Sequence, residues 1–339
     1  MRYKFSDLYY DDTKNAKKLK SSEYKNIGKY IIVDQGKSLI AGYTDNEDGL
    51  YTDVPVIIFG DHTRNIKYIN SPFFLGADGT KVLKSSLKNA NYKYLYYLLK
   101  NASIPDTGYN RHYKWLKELM FEYHSQEQQN QIVTILDKLD LTISKYREEL
   151  LLLDELVKAR FVEMFGDPIY NTQNRPMTEF INVVKMQRGY DLPVQDRNHE
   201  GSIPVYGANG VLGYHDVAKI NNGGIITGRS GTIGKVYLAN KEYWPLNTSL
   251  FSIETYGNNL IYLQYLVTLY DLKRFVEGTG VPTLNRNMFH NKKIIEVPIN
   301  EQNTFASFVE EVDKSRSRIQ KSLEASQELF DSLMQDYFG

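Results

Sequence analysis

Residues 126–166 read QEQQNQIVTILDKLDLTISKYREELLLLDELVKARFVEMFG, and this stretch decides the architecture of the chain. Its apolar side chains recur in alternating steps of four and three, the a/d spacing of a coiled coil. They are Ile132, Leu136, Leu139, Ile143, Tyr146, Leu150, Leu153 and Val157. The spacing predicts one helix, which at roughly 1.5 Å per residue would be about 60 Å long, typical of a spacer. Gly166, followed by Asp167 and Pro168, predicts the end of this helix.

The end of the chain repeats this pattern. A shift of 173 positions superposes the two runs, placing Leu136 on Val309 and Phe165-Gly166 on Phe338-Gly339. The chain therefore encodes two partner helices rather than two unrelated amphipathic surface helices, because length, phase and terminal Phe-Gly all agree. Two polar residues interrupt only the second run, as polar residues do where they fix the register of a pair. The second run comprises Phe305, Val309, Val312, Arg316, Ile319, Leu323, Ser326, Phe330, Leu333 and Tyr337.

The composition fits a modular protein. A length of 339 residues suggests about two domains, and a hydrophobic content of 42% is ample for their cores. No apolar run approaches the roughly 18 residues of a membrane span, and the start of the chain lacks a signal-peptide core, so we expect a cytoplasmic protein without membrane contact. The absence of cysteine excludes disulfides and thiol chemistry.

The zero net charge hides a division along the chain. Residues 1–125 and 166–299 sum to +5 and +2, whereas residues 126–165 and 300–339 sum to −3 and −4. The predicted helices are thus acidic and the other segments mildly basic. With a bias this small, DNA binding would need a well-shaped groove or basic partner subunits.

The segments before the two helices have the texture of mixed α/β domains. Residues 30–33 and 55–60 are apolar runs bounded by turn residues and predict strands, and residues 91–99 predict a helix. Residues 1–24 show no clear period, and we expect an irregular or partly helical lead-in there.

The same order recurs after Pro168, with a helix expected over residues 260–272. We therefore predict an α+β chain of two tandem mixed α/β domains, residues 1–125 and 167–299, separated by a pair of long antiparallel coiled-coil helices, residues 126–166 and 300–339, with pseudo-twofold symmetry. The proposed matches between the copies are Gln35-Gly36-Lys37 with Arg188-Gly189-Tyr190, residues 56–61 with residues 224–229, and Asn110-Arg111 with Asn285-Arg286.

Motifs for catalysis are weak. Residues 228–235 resemble a phosphate-binding loop, but position 229 is arginine rather than glycine and Val236 follows the lysine, so Mg²⁺ has no hydroxyl ligand. We predict a turn between two strands instead. The six histidines lack metal-ligand spacing, and Asp12 with Glu23 and Lys25 is a poor nuclease candidate in a lysine-rich segment.

Three sets of residues stand out along the two domains: Gly60-Asp61-His62-Thr63-Arg64 with residues 76–81, Tyr206-Gly207-Ala208-Asn209-Gly210, and residues 227–234. They resemble the target recognition domains of type I restriction-modification specificity subunits. The helices that follow Glu127-Gln128 and Glu301-Gln302, each closing on Phe-Gly, are similar to the conserved spacer regions of that family. The resemblance covers nearly the whole chain and is carried by the order domain, helix, domain, helix.

The resemblance implies a non-catalytic DNA reader. In that family each recognition domain reads one half of an interrupted, asymmetric site on double-stranded DNA, and the helices fix the gap and bind two methyltransferase subunits. S-adenosylmethionine, ATP and Mg would bind partner subunits, the methyltransferase and the restriction/translocase subunits, and no cofactor would bind this chain. The alternative is a coiled-coil assembly scaffold whose globular ends bind proteins.

Candidate DNA contacts are loop residues whose side chains suit bases or phosphates: arginine and lysine for guanine and phosphate, asparagine for adenine. Tyr109 and Tyr190 are candidates for stacking or packing against the DNA backbone. The predicted DNA-binding residues are Lys37, His62, Arg64, Lys81, Asn110, Arg111, Arg188, Arg229, Ser230, Lys235, Asn285 and Arg286. The residues predicted to form the partner-binding helices are Leu136, Leu139, Ile143, Leu150, Val309, Val312, Ile319 and Leu323.

Overall fold

A computed structural model describes residues 2–76, 78–108, 110–198, 200–277 and 282–339. The chain divides into two compact units. The first unit joins residues 1–145 to residues 322–339, and the second contains residues 146–321. The second unit is therefore continuous in sequence, whereas the first unit consists of two segments, the second of which is residues 322–339.

The first unit is built on a four-stranded sheet of order β2-β8-β5-β6, a three-stranded sheet of order β4-β3-β7, and the pair β1-β9. Strand β5 is buried throughout, as expected for the apolar run at the centre of the larger sheet. The elements are β1 (Arg2–Lys4), α1 (Phe5–Leu8), β2 (Tyr9–Asp11), β3 (Tyr30–Val33), β4 (Gly42–Thr44), β5 (Val56–Gly60), β6 (Ile66–Ile69), β7 (Phe73–Leu75), β8 (Thr80–Ser85), α2 (Tyr92–Lys100), α3 (Tyr113–Leu116), β9 (Met120–Glu122) and the start of α4 (Gln126–Phe165).

The second unit repeats this topology. Its sheets have the orders β11-β17-β14-β15, β13-β12-β16 and β10-β20, with an added pair β18-β19. The predicted internal repeat is therefore present strand for strand. The elements are β10 (Met177–Glu179), α5 (Phe180–Val183), β11 (Lys185–Arg188), β12 (Ile203–Gly207), β13 (Gly210–His215), β14 (Gly224–Gly228), β15 (Val236–Ala239), β16 (Trp244–Pro245), β17 (Ser249–Glu254), α6 (Leu260–Leu269), β18 (Val276–Glu277), β19 (Thr283–Leu284), β20 (Lys293–Ile295) and α7 (Ile299–Phe338).

The expectation of an irregular or partly helical lead-in was incomplete. Strands β1 and β2 flank the one-turn helix α1, and Phe5, Leu8 and Tyr9 are buried in the core of the first unit. The Tyr9 hydroxyl donates to the carbonyl oxygen of Leu95 on α2 at 2.9 Å. Elements of three or four residues are too short to show a period, so the sequence pattern did not reveal them.

The predicted long helices are confirmed, and each is a single 40-residue helix. Helix α4 ends as expected: Gly166 has φ of +79°, and its N–H donates to the carbonyl oxygen of Val162 at 2.9 Å. A glycine accepts this left-handed conformation without the steric cost of a Cβ. Every residue of the two predicted seams is buried or half-buried.

The two helices pack together in antiparallel fashion. In the first unit the start of α4 and the end of α7 share one apolar core, which includes Leu136 and Phe330. In the second unit the end of α4 packs on the start of α7, with Phe161 and Phe305 in edge contact at 5.4 Å between ring centroids. Arg316, the predicted polar interruption, donates to Asp154 on α4 at 2.5 Å.

The helix predictions inside the domains hold closely. Helix α2 is capped by the Asn91 side chain, which accepts from the Tyr94 N–H at 3.1 Å, and helix α6 ends three residues before the predicted limit. Among the described residues, no helix has the length and apolar character needed to cross a membrane.

Candidate nucleic-acid interface

A cleft of 260 Å³ lies at one edge of the larger sheet of the second unit. Its floor is apolar, because Leu250 and Leu284 are buried there. Four of the six residues predicted as DNA contacts in this unit surround that floor. The lining comprises Arg188, Arg229, Leu250, Thr283, Leu284, Asn285, Arg286 and Asn287.

Main-chain hydrogen bonds fix the centre of the cleft. Arg229 follows β14 directly, and its N–H donates to the carbonyl oxygen of Thr248 at 2.9 Å. Its own carbonyl oxygen accepts from the Leu284 N–H at 2.8 Å, which ties the loop after residue 281 to the sheet. Arg188 ends β11 and lies opposite Leu250 of β17. The guanidinium groups therefore project from a defined backbone.

The cleft is strongly cationic. Arg188, Arg229 and Arg286 make no ion pair within the described part of the chain, and the lining that the structure describes contains no carboxylate. Other arginines of the same unit are neutralised, for example Arg175, which pairs with Glu301 at 2.7 Å. Three uncompensated guanidinium groups around one cleft make a positive potential suited to an anionic ligand.

The positive charge around the cleft also affects the pKa of His290. Burial lowers the pKa of His290, and the positive charges of Arg286 and Lys185 lower it further. The neutral ring has a structural role, since its Nε2 accepts from the Met186 N–H at 3.2 Å.

The predicted turn between two strands is present. Residues 229–235 connect β14 to the antiparallel β15, with Gly231 at φ +80° and Gly234 at φ +95°. Ser230 forms an isolated β-bridge with Thr283 beside the cleft, and Lys235 is exposed. Tyr190 is half-buried, with its ring centroid 5.8 Å from that of Phe251 and the Lys219 ammonium over its face.

In the first unit, the predicted contacts lie on converging loops. His62 joins two of them, because its Nδ1 lies 3.1 Å from the carbonyl oxygen of Asn110 and its N–H donates to the Gln35 side chain. Arg64 has φ of +60° and pairs with Asp106 at 2.6 Å. These contacts hold the loops together and partly neutralise them.

The remaining predicted cations of the first unit differ in exposure and in whether a carboxylate already pairs with them. Lys37 and Arg111 are exposed, whereas Lys81 pairs with Asp11 at 2.7 Å and lies 5.1 Å from the ring centroid of Tyr113. The charge of Lys81 is therefore already balanced within the protein, which makes it a weaker candidate for a DNA contact than Lys37 or Arg111. Tyr109 lies outside the described residues.

Two of the proposed matches between the copies are wrong. Arg188 ends the strand equivalent to β2, whereas residues 35–37 follow β3. The Leu284 N–H donates to Arg229, and the equivalent bond runs from the His112 N–H to the carbonyl oxygen of Asp61 at 2.8 Å. His112 therefore corresponds to Leu284, and the two Asn-Arg pairs are not equivalent. Similar dipeptides had aligned by chance in loops without periodicity.

The residues predicted for the partner-binding helices pack within the chain itself. Leu136, Ile143, Val309 and Val312 are buried, and Leu139, Leu150, Ile319 and Leu323 are half-buried. That these residues help to bind partner subunits stays a prediction. Since they pack within the chain, they would do so indirectly, by holding the shape of the helix pair. Other apolar side chains of α4 face solvent, including Leu141, Leu151 and Leu152.

Sequence reasoning missed several residues around the two sites. Thr283 and Asn287 line the cationic cleft, and the Asn-Arg-Asn run at 285–287 was an available signal for the latter. Asp11 and Asp106, which neutralise Lys81 and Arg64, are distant from them in sequence. No local pattern could have identified those pairs.

The unit that carries the cleft matches a known protein family. Residues 171–327 match the family model of the type I restriction modification DNA specificity domain. The S subunit of a type I restriction-modification system from M. genitalium shares 17% identity, and the match covers 100% of this chain and 96% of that chain with a TM-score of 0.67. The present chain therefore has the fold of a type I specificity subunit.

A second solved chain has a similar fold. It comes from work on complex assembly and conformational transition of the type I R-M system, with 12% identity, coverage of 99% and 97%, and a TM-score of 0.50. No curated protein matches the sequence. The cationic cleft of the second unit thus lies within the segment that matches the model of the DNA specificity domain.

Proposed function

We propose that this chain is the DNA-recognition subunit of a type I restriction-modification complex. The observation that carries the proposal is the cleft bounded by Arg188, Arg229 and Arg286, three uncompensated cations within a DNA specificity domain. Arginine is the side chain best suited to both phosphate and guanine, so this cleft fits double-stranded DNA.

Each unit would read one half of an interrupted, asymmetric site. Two readers on one duplex must lie about one helical turn apart, roughly 34 Å, to reach the same face, and the helix pair would set the gap. The helices would also dock two methyltransferase subunits, and a restriction/translocase subunit would join this cytoplasmic complex. S-adenosylmethionine, ATP and Mg would bind those partners rather than this chain.

The test is to co-express the chain with its neighbouring methyltransferase, measure complex formation by native mass spectrometry and map methylated adenines across the host genome. We expect methylation confined to one interrupted, non-palindromic motif. The matched variant, with Arg188, Arg229 and Arg286 all changed to alanine, should still assemble but lose specificity in one half of the motif. A stable wild-type complex without patterned methylation would favour a coiled-coil assembly scaffold with protein-binding ends instead.

A further inference from the structure

Three guanidinium groups make the cleft of the second unit rich in hydrogen-bond donors, and the most constrained of these three side chains is Arg229. Its backbone is held on both sides, by Thr248 and by Leu284, and its Nη1 lies 3.5 Å from the carbonyl oxygen of Asn247. A side chain on a rigid strand end is positioned more accurately than one on a free loop. Arg229 is therefore the cleft residue best placed to read a base rather than to track the backbone.

Asn285 is poorly placed to read adenine. Bidentate recognition of adenine needs the amide oxygen of asparagine as an acceptor for N6 and the amide nitrogen as a donor to N7. The Asn285 Oδ1 already accepts from the Asn287 N–H at 3.1 Å, as an Asx turn does. This bond uses one of the two lone pairs of Oδ1 and fixes the amide in the turn, so Asn285 is less free than Asn287 to turn both amide groups toward an adenine.

Guanine is the base that this arrangement fits. In the major groove guanine presents two adjacent acceptors, O6 and N7, whereas adenine presents one acceptor beside the N6 donor. An adenine N6 amino group would meet a guanidinium donor with no acceptor to bind it. We propose that Arg229 reads a guanine, donating to its O6 and N7, in the half-site contacted by the second unit.

The proposal rests on the proposed function, because it names the base that the same site recognises. Arg188 and Arg286, on either side, would hold flanking phosphates. The main rival is Asn287, whose exposed amide could serve adenine. These roles differ in the atom that each side chain contacts on DNA, and this difference can be measured.

The experiment titrates the full-length chain, in complex with its methyltransferase, against its methylation site. Each guanine is replaced singly by 7-deazaguanine, which lacks the N7 acceptor, and affinity is read by fluorescence anisotropy. We expect one guanine to be sensitive, with affinity falling about fivefold or more, and Arg229→Ala to weaken the natural duplex about 5- to 150-fold. In Arg229→Ala the deaza replacement should have no further effect, since the contact is already lost.

The control is Lys241→Ala, an exposed lysine of the same unit outside the cleft, which should keep the wild-type deaza profile. Several results would overturn the proposal. The wild-type scan could show no sensitive guanine in either half-site, or the sensitive guanine could remain sensitive in Arg229→Ala. Arg229→Ala could weaken all duplexes equally, as loss of a phosphate contact would. Sensitivity to 7-deazaadenine that Asn287→Ala abolishes would assign the reading to adenine.

These results are separable from failure of the proposed function. If the wild-type complex prefers no duplex at all, the specificity-subunit proposal fails. If it prefers one duplex but no guanine couples to Arg229, only the guanine assignment fails. The deaza scan of the wild-type complex depends on no variant, so a scan without a sensitive guanine overturns the proposal even if Arg229→Ala does not fold.

Discussion

The two units share their strand order but place opposite charges at the same point of the sheet. After β5 comes Asp61, whose N–H donates to the carbonyl oxygen of Gly79 at 2.6 Å; after β14 comes Arg229, whose N–H donates to Thr248 in the same way at 2.9 Å. The last residue of β5, Gly60, pairs with Thr80, and the last residue of β14, Gly228, pairs with Ser249. The residues that follow these partners, Lys81 in the first unit and Leu250 in the second, are therefore equivalent.

This difference shows that charge, not topology, distinguishes the two sites. In the first unit Lys81 and Arg64 are each balanced by an aspartate, whereas in the second unit the cleft arginines have no carboxylate partner in the described chain. The same backbone arrangement thus holds a partly neutralised surface in one unit and an open cationic cleft in the other. Recognition belongs to side chains carried on a common fold.

The largest expected effect is on the free energy of unfolding, through the packing of α4 against α7 that contributes to the core of each unit. Leu136 and Val309 are equivalent in the repeat and buried in the first and second unit respectively. We expect Leu136→Ala to lower the free energy of unfolding by about 2–5 kcal/mol. Val309→Ala should lower it by less, because the change from valine to alanine removes fewer carbon atoms. Urea denaturation with limited proteolysis should show each loss in its own unit. Equal loss in both units would show that they unfold as one.

The next effect compares one arginine of each unit, Arg64 and Arg229. Arg64→Ala should weaken DNA binding less than Arg229→Ala, because Arg64 must first leave Asp106, to which it donates at 2.6 Å. An exposed ion pair of this kind contributes little, because water screens it. Asp106→Asn should accordingly strengthen binding severalfold or less. Anisotropy titrations of the three variants test the order, and a larger loss for Arg64→Ala would reverse the comparison.

A smaller effect appears in the salt dependence of binding. Lys37 and Lys235 are exposed cations of the first and second unit, and removing a phosphate contact should reduce the salt slope by about one each. Lys81→Ala should change the slope less, since Asp11 already balances Lys81. Affinity measured from low to moderate salt gives the slopes. Unchanged slopes for Lys37→Ala and Lys235→Ala would remove both from the interface.

The smallest effect is the titration of His290. Burial first, then Arg286 and Lys185, hold its pKa below the ordinary value. The stability tied to the neutral ring is therefore complete above about pH 6.5 and is lost as pH falls through the folded-state pKa. NMR titration should show Arg286→Ala raising the pKa only part of the way, because burial remains. A full return to the ordinary value would mean that charge dominates.

The sequence predicted the parts of the fold that have a period. The seams of α4 and α7 extend over many turns, so their bounds and pairing could be read directly, and the strand at residues 30–33 was also found. The elements of residues 2–11 are too short for that signal. In the second unit Arg188, Arg229 and Arg286 were named as candidates, but their gathering around one cleft depends on a register that pairs distant strands. The neutralising aspartates of the first unit depend on tertiary contacts alone.

The division of the chain into units also orders events during synthesis. Domains usually fold in sequence order as they leave the ribosome, the earliest first. Here the core of the first unit includes Phe330 and Met334, while the second unit is contiguous from residue 146 to residue 321. The later unit can thus complete its core before the earlier one. Until residues 322–339 emerge, the nascent first unit exposes an apolar surface that a chaperone would have to shield.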